Sequence, residues 1–218
     1  MSIEAVLFDC DGTLVDSEHL TNQVLVEYLA ELGHTMSVLD ALDAYVGLKM
    51  ADCVADLERR FRTTLPPGFV EVFRARTALA FTERLRPIDG ADAMLSSLSL
   101  PFYVASSGPR QKIEHSLTVT GLLRHFPNAN VFTAYEIGHW KPDPAFYRAV
   151  LSKLGLRPHQ AVVVEDSVAG IRSALGAGLR TIALGPAERL SGDLASALAV
   201  PDLARATEAL RRLHESPS

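Results

Sequence analysis

The stretch LFDCDGTLVDSE, residues 7–18, begins as an apolar strand and then sets Asp9 and Asp11 two residues apart, with Gly12 directly after them. Two carboxylates at the end of a buried strand repel each other. Either they belong to a polar turn, or something cationic belongs between them. The choice depends on what the rest of the chain brings to the same strand end.

Short apolar runs at 3–8, 102–105, 161–164 and 181–184 have the continuous hydrophobic character of strands buried on both faces, and a weaker run lies at 131–135. From residue 91 onward they alternate with helical patterns at 91–99, 111–120, 144–154, 168–175 and 203–213, with Gly155 and Gly178 placed as glycines that end helices. This alternation predicts an α/β fold, a doubly wound parallel sheet covered by helices. The first strand breaks the rhythm. After it come only amphipathic helices, at 18–32, 38–45, 51–61 and 69–85, with Pro66-Pro67-Gly68 as a loop. About 70 residues of pure helix are too many for a crossover, so an inserted all-helical cap domain is expected at 17–86, with 1–16 and 87–218 forming the α/β core.

Four polar segments fall at or just after the C-terminal ends of the predicted strands: Asp9 and Asp11, Ser106 and Ser107, Lys141, and Glu165 with Asp166. In an open parallel sheet that edge is where ligands bind. Asp9, Asp11, Glu165 and Asp166 cannot all remain ionised in one cleft without a cation, and an oxygen-only donor set points to Mg²⁺. Lys141 adds positive charge; a serine hydroxyl and backbone N–H groups add neutral donors. Such an inventory suits a phosphoryl group in transfer, where catalysis is positioning and charge stabilisation. One carboxylate could serve as nucleophile, forming an acyl phosphate, and the other as general acid and then base.

DCDGTLVDSE, VASS, KPDP and VVEDSVAG resemble the four motifs of the haloacid dehalogenase superfamily, in order and over essentially the whole chain. The helical insert after the first motif resembles the cap of the β-phosphoglucomutase and phosphoglycolate phosphatase branch. The resemblance implies a Rossmann-like core, Asp9 as nucleophile, Asp11 as acid/base, and phosphate held by Ser106 and Lys141. It also implies Mg²⁺ bound through Asp9, the Asp11 carbonyl and Asp166, with Glu165 orienting metal-bound water. True haloacid dehalogenases and phosphonatases lack the second aspartate, which is present here as Asp11. Mutases carry a cap histidine and arginine that would fall near Thr21 and Met50, and a Ser-Lys pair that falls at Gly108-Pro109, so mutase activity is the disfavoured alternative. SSGPRQKIEHS and HWKPDPAF are similar to bacterial sugar-phosphate phosphatases of the 6-phosphogluconate phosphatase kind. The resemblance therefore implies a Mg²⁺-dependent phosphatase acting on a small sugar or sugar-acid phosphate. From a different functional class, a phospho-acceptor switch or a non-turnover binding module would use some of the same residue types, but a switch of the receiver type lacks the insert.

Several single residues have two readings. Asp16 and Ser17 suit the N-cap of the first insert helix, and Asp143 suits the cap of a helix starting at Pro144. Ser107 is a phosphate donor or a turn residue. Trp140 packs under Lys141 or lines the substrate pocket. Lys49 and Arg110 are the candidate substrate contacts, Lys49 in a loop after a helix ended by Gly47.

The net charge of −5 gives no reason to expect nucleic acid or an acidic membrane surface as partner. The expected partner is a small phosphomonoester, with the protein a monomer or weak homodimer. Cys10 and Cys53 are the only cysteines and have no metal-ligand spacing, so a reducing, cytoplasmic setting without disulfides is expected. The opening MSIEAVLFD has no basic stretch or cleavage site, so no signal peptide is expected. No apolar run reaches the ~18 residues that a membrane span needs.

Overall fold

The structure is a computed structural model that describes residues 3–45, 50–127 and 130–215. Six strands form one parallel sheet: β1 (Ala5–Phe8), β2 (Phe102–Ser106), β3 (Val131–Thr133), β4 (Ala161–Glu165), β5 (Arg180–Leu184) and β6 (Leu198–Val200). Their order is β3-β2-β1-β4-β5-β6, the doubly wound arrangement expected from the alternation. The order reverses between β1 and β4, which pair directly in register Phe8 to Val164. Every residue of β1 and β4 is buried. That explains why AVLF and AVVV show no polar alternation: helices cover both faces of a central parallel strand.

The helices are α1 (Ser17–Glu31), α2 (Val38–Tyr45), α3 (Met50–Phe61), α4 (Phe69–Arg84), α5 (Ala91–Ser97), α6 (Arg110–Val119), α7 (Ala134–Ile137), α8 (Ala145–Leu154), α9 (Val168–Gly176) and α10 (Leu203–Glu215). The chain divides into two compact units, Met1–Val15 with Arg86–Ser218, and Asp16–Leu85. In the α/β unit, Ala5 and Leu7 of β1 and Ala161 and Val163 of β4 pack with Phe146, Tyr147 and Val150 of α8 and Ala174 of α9. Side chains alternate along a strand. Asp9 and Glu165 continue the same parity as Leu7 and Val163, so the α8 face of the sheet ends in two carboxylates.

In the helical unit α1 packs against α2 and α4. Tyr28 stacks on Phe69 with ring centroids 4.9 Å apart, and the Arg76 guanidinium lies 4.2 Å over the Tyr28 ring. Arg76 also grips Glu31 through two bonds of 2.7 Å, and Arg84 grips Glu27 through two of 3.0 Å. These bidentate pairs tie the polar edges of α1 and α4 together.

Two details depart from the sequence expectations. The strand expected at 131–135 ends at Thr133, because the Thr133 hydroxyl accepts a 3.3 Å bond from Glu136 N and starts α7. The edge strand β6 was not anticipated. It is three residues long with Leu198 half exposed, too short and too exposed to leave a hydrophobic signature. Among the described residues no helix is long and apolar enough to cross a membrane.

The two chain ends that lead into the helical unit meet inside the α/β unit. Val15 bridges Pro87 antiparallel, and Ile88 N donates to Leu14 O at 2.9 Å. Replacing residues 16–85 by a short Gly/Ser linker should therefore leave an α/β unit that still unfolds cooperatively, because the loop being shortened closes ends already held together. Circular dichroism melting checks this; a non-cooperative melt would mean the α/β unit depends on the insert for its folding.

Candidate active site

Asp9 follows β1 directly, and its backbone N–H donates to Val164 O at 3.0 Å, which extends the β1–β4 ladder to the carboxylate itself. Its side chain is 11% exposed and that of Glu165, the last residue of β4, 0%. Between them sits the Lys141 ammonium, 2.5 Å from Asp9 Oδ1 and 2.5 Å from Glu165 Oε1. Phe146 and Tyr147 flank it, with ring centroids 5.6 Å and 5.4 Å from Nζ. The other Glu165 oxygen, Oε2, accepts three bonds of 3.0 Å, from Asp166 N, Ser167 N and Ser167 Oγ. Ser167 in turn caps α9 by accepting from Gly170 N at 3.0 Å. A buried carboxylate with all of these donors is thus the mortar between β4, α9 and Lys141.

The loop after β1 turns back through Gly12, whose φ is +79°, a conformation that favours glycine. A Cβ at Gly12 would lie 2.2 Å from Asp166 Oδ2, so the glycine also makes room for that carboxylate. Thr13 Oγ1, fully buried, donates to Asp166 Oδ1 at 2.7 Å. Asp9, Glu165 and Asp166 each present a carboxylate oxygen, and these atoms lie within 4.8 Å of one another. Asp11 stands on the same loop, with its side chain 22% exposed and Oδ2 2.8 Å from the Lys112 ammonium. Ser106, at the end of β2, is 2% exposed, and its hydroxyl accepts from Gly108 N at 3.1 Å. An added Cβ at Gly108 would sit 3.8 Å from Asp11 Oδ2, so the β2 loop and the β1 loop lie against each other.

Electrostatics follow from burial. Desolvation pushes the Asp9 carboxyl from its ordinary 3.8 up to about 7, against the pull of Lys141 and with the push of Glu165 and Asp11. Burial alone would lower the Lys141 ammonium, but Asp9 and Glu165 more than offset it and hold it well above its ordinary range. Lys112 is likewise raised, since Asp11 outweighs desolvation. Burial raises the Cys10 thiol well above its ordinary value, so it stays neutral between the two aspartates.

Asp9, Asp11, Ser106, Lys141, Glu165 and Asp166 thus meet at one end of the sheet, with Ser107 half-buried in the loop after β2. Arg110 is turned elsewhere. Its guanidinium pairs with Glu136 (Nη2–Oε2 2.8 Å), Glu114 (3.1 Å) and Val131 O (2.6 Å). Lys49 lies outside the described residues. Trp140 is 46% exposed and packs edge-on against Tyr135, centroids 5.6 Å apart. Asp143 caps α8 by accepting from Ala145 N at 2.8 Å, whereas Asp16, at the N-cap of α1, makes no side-chain cap bond. Lys112 was missed in the sequence. A lysine in a polar helical stretch reads as a solvated side chain, and the available signal was its place one turn after the Ser106–Gly108 loop.

The haloacid dehalogenase-like hydrolase family model matches residues 6–184 of the chain. The chain is 36% identical over 178 residues to 6-phosphogluconate phosphatase of Escherichia coli K12, covering 81% of this chain and 80% of that protein. It is 31% identical over 212 residues to hexitol phosphatase B of the same organism, with 94% of each covered. Among solved structures, a HAD family hydrolase from Deinococcus radiodurans R1 with bound phosphate and sodium superposes with a TM-score of 0.88 at 30% identity, over 97% of this chain and 96% of that one.

Two outcomes test the geometry without reference to turnover. A carboxyl that binds its proton more tightly folded than unfolded lowers stability as pH rises from about 4 through 7. In metal-free protein, Asp9→Asn should therefore raise Tm at pH 8, by roughly 2–8 °C for about 1–2 kcal/mol relieved, with the gap closing near pH 4. A lower Tm at pH 8 would mean that Lys141 needs the Asp9 charge more than burial opposes it. In α9, a Cβ at Gly170 would lie 1.7 Å from Glu165 Oε1, an atom held on Lys141. Helix propensity alone favours Gly170→Ala by about 1 kcal/mol, yet the melting temperature should fall.

Proposed function

The chain belongs to the haloacid dehalogenase-like hydrolases, and from that premise we propose that it is a Mg²⁺-dependent phosphatase of a small sugar or sugar-acid phosphate, 6-phosphogluconate first among the candidates, working through an aspartyl phosphate on Asp9. The enzyme class, phosphomonoester hydrolysis, is that of its phosphatase relatives. The observation that carries the mechanism is the charge arrangement around Asp9. Four carboxylates, Asp9, Asp11, Glu165 and Asp166, face two ammoniums, Lys141 and Lys112. The carboxyl groups outnumber the ammoniums, and the donors are all oxygens, which suits a hard divalent ion. Asp9 and Asp166 would hold it together with the Asp11 carbonyl. Glu165, whose two oxygens are already engaged, would support it from behind. When bound, the cation supplies charge neutralisation that lets a phosphate dianion approach a carboxylate.

The chain's own residues then divide the work. Asp9 attacks phosphorus as a carboxylate; the P–O ester bond breaks, and Asp11 gives its proton to the departing alkoxide oxygen. Lys141, Ser106 and the N–H groups of the Ser106–Gly108 loop receive the charge of the phosphoryl oxygens. Water next attacks the phosphorus of the acyl phosphate while Asp11 takes its proton, and inorganic phosphate leaves with Asp9 restored. Lys141 is placed to do this without rearrangement, since it already touches the nucleophile.

Phosphate release from a panel of sugar phosphates tests the reading. 6-Phosphogluconate should exceed phosphoglycolate and β-glucose 1-phosphate in kcat/KM, and steady conversion of β-glucose 1-phosphate to the 6-phosphate would replace phosphatase by mutase. Excess EDTA should abolish turnover and Mg²⁺ restore it. Ca²⁺ should inhibit, because its looser coordination by 6–8 ligands would engage the nucleophilic carboxylate. Asp9→Asn should reduce turnover by at least a thousandfold, order of magnitude, since a missing nucleophile leaves only binding and charge stabilisation. Retention of a tenth of the wild-type rate by a folded Asp9→Asn protein would remove Asp9 from the role.

A further inference from the structure

We infer that Lys112 is a positioning residue for Asp11: its ammonium anchors the acid/base carboxylate so that a poor leaving group can be protonated. The inference rests on the reading of Asp11 given above. Lys112 Nζ lies 2.8 Å from Asp11 Oδ2 across 101 residues of chain, and it comes from the first turn of α6, directly after the Ser106–Gly108 loop. That turn carries no acidic residue and two cations, Arg110 and Lys112. Cations at a helix N-terminus oppose the helix dipole, so local preference does not account for Lys112 being there. Arg110 is offset by Glu114 and Glu136; Lys112 is directed instead into the site.

The two ammoniums divide the two aspartates between them. Lys141, 4% exposed, belongs to Asp9 and Glu165; Lys112, 41% exposed, belongs to Asp11. This partition separates two like charges two residues apart and gives each a fixed direction. The buried carboxylate, tied to the sheet, is the attacking group. The partly exposed one, tied to α6, would serve the leaving group. A Lys side chain that holds one oxygen of a carboxylate narrows the directions the group can take, where an unanchored loop carboxylate would sample more of them.

The test compares leaving groups in Lys112→Met, Lys112→Arg and the wild type, each loaded with Mg²⁺. p-Nitrophenyl phosphate releases a stabilised phenolate and needs little protonation. n-Propyl phosphate releases an alkoxide and needs it fully. In Lys112→Met, kcat/KM for n-propyl phosphate should fall about 10- to 100-fold, within the span of a general acid's contribution. The pre-steady-state burst of p-nitrophenolate should change less than about 3-fold, and Lys112→Arg should recover most of the n-propyl rate. Asp11→Asn should show the same leaving-group pattern, and adding Lys112→Met to it should cost little more. Equal loss on both substrates with a lowered Tm would make Lys112 a structural cation only and overturn the inference. Loss confined to phosphoglycolate, with n-propyl phosphate unaffected, would make it a substrate-carboxylate contact and overturn it equally. A wild-type protein that hydrolyses none of these esters would sink the phosphatase reading itself, whatever the variants do.

Discussion

The contact on which the site depends is the Lys141 ammonium wedged between Asp9 and Glu165, 2.5 Å from each. An ammonium that is 4% exposed survives burial only when paired and hydrogen-bonded. Glu165 makes this pairing rigid, because its second oxygen is fixed by two backbone N–H groups and the Ser167 hydroxyl. The consequence is mechanical as well as electrostatic. One ion triad locks the end of β1, the segment leading into α8, and the start of α9 to each other. Asp9 therefore stands at the end of a strand buried on both faces, the fixed footing that the proposed in-line attack needs.

Close packing around that triad explains residues that carry no chemistry. At Gly12 and Gly170 a methyl group would overlap carboxylate oxygens of Asp166 and Glu165, at 2.2 Å and 1.7 Å. Gly12 also meets a backbone φ of +79° that favours glycine, whereas Gly170, inside α9, weakens its helix by roughly 0.5–1 kcal/mol relative to alanine and is accounted for by the space it leaves. Thr13 completes the arrangement by donating to Asp166 from a fully buried position. The sequence DGT after the strand is thus one unit. Asp11 turns outward, Gly12 yields room, and Thr13 fixes the carboxylate of the distant β4–α9 turn.

Much of this was legible in the sequence because strand ends are easy to locate. Unbroken apolar runs marked β1, β2, β4 and β5, and the polar groups following them had to gather at the same edge of a parallel sheet. The sheet and its helices match that reading. What escaped it depends on side-chain direction. Arg110 and Lys112 lie two residues apart in the same polar helix, so periodicity could not tell that one faces Glu136 and the other Asp11. β6 escaped for a different reason, since a three-residue edge strand with half-exposed Leu198 has no pattern long enough to register. The helix boundary at Thr133 turned on a single cap bond, which propensity does not resolve.

The site breaks local rules in several places at once: like charges two residues apart, a carboxyl pushed up to about 7, cations at the start of α6, and a glycine inside α9 where helix propensity favours alanine. Local conflicts of this kind gather where function overrides folding. The α/β unit can carry them because the conflicts are confined to one rim of the sheet. Directly beneath, Leu7, Val163, Phe146 and Val150 are 0% exposed, each such side chain contributing about 1.5–3 kcal/mol on burial. Placing the strain at strand ends has a further effect. The ends are the last rungs of the ladder, so a cation or a phosphoryl group can alter the charge balance there without disturbing the pairing below. In the proposed reaction, charge then enters and leaves at the rim while Asp9 keeps its backbone bond to Val164 O.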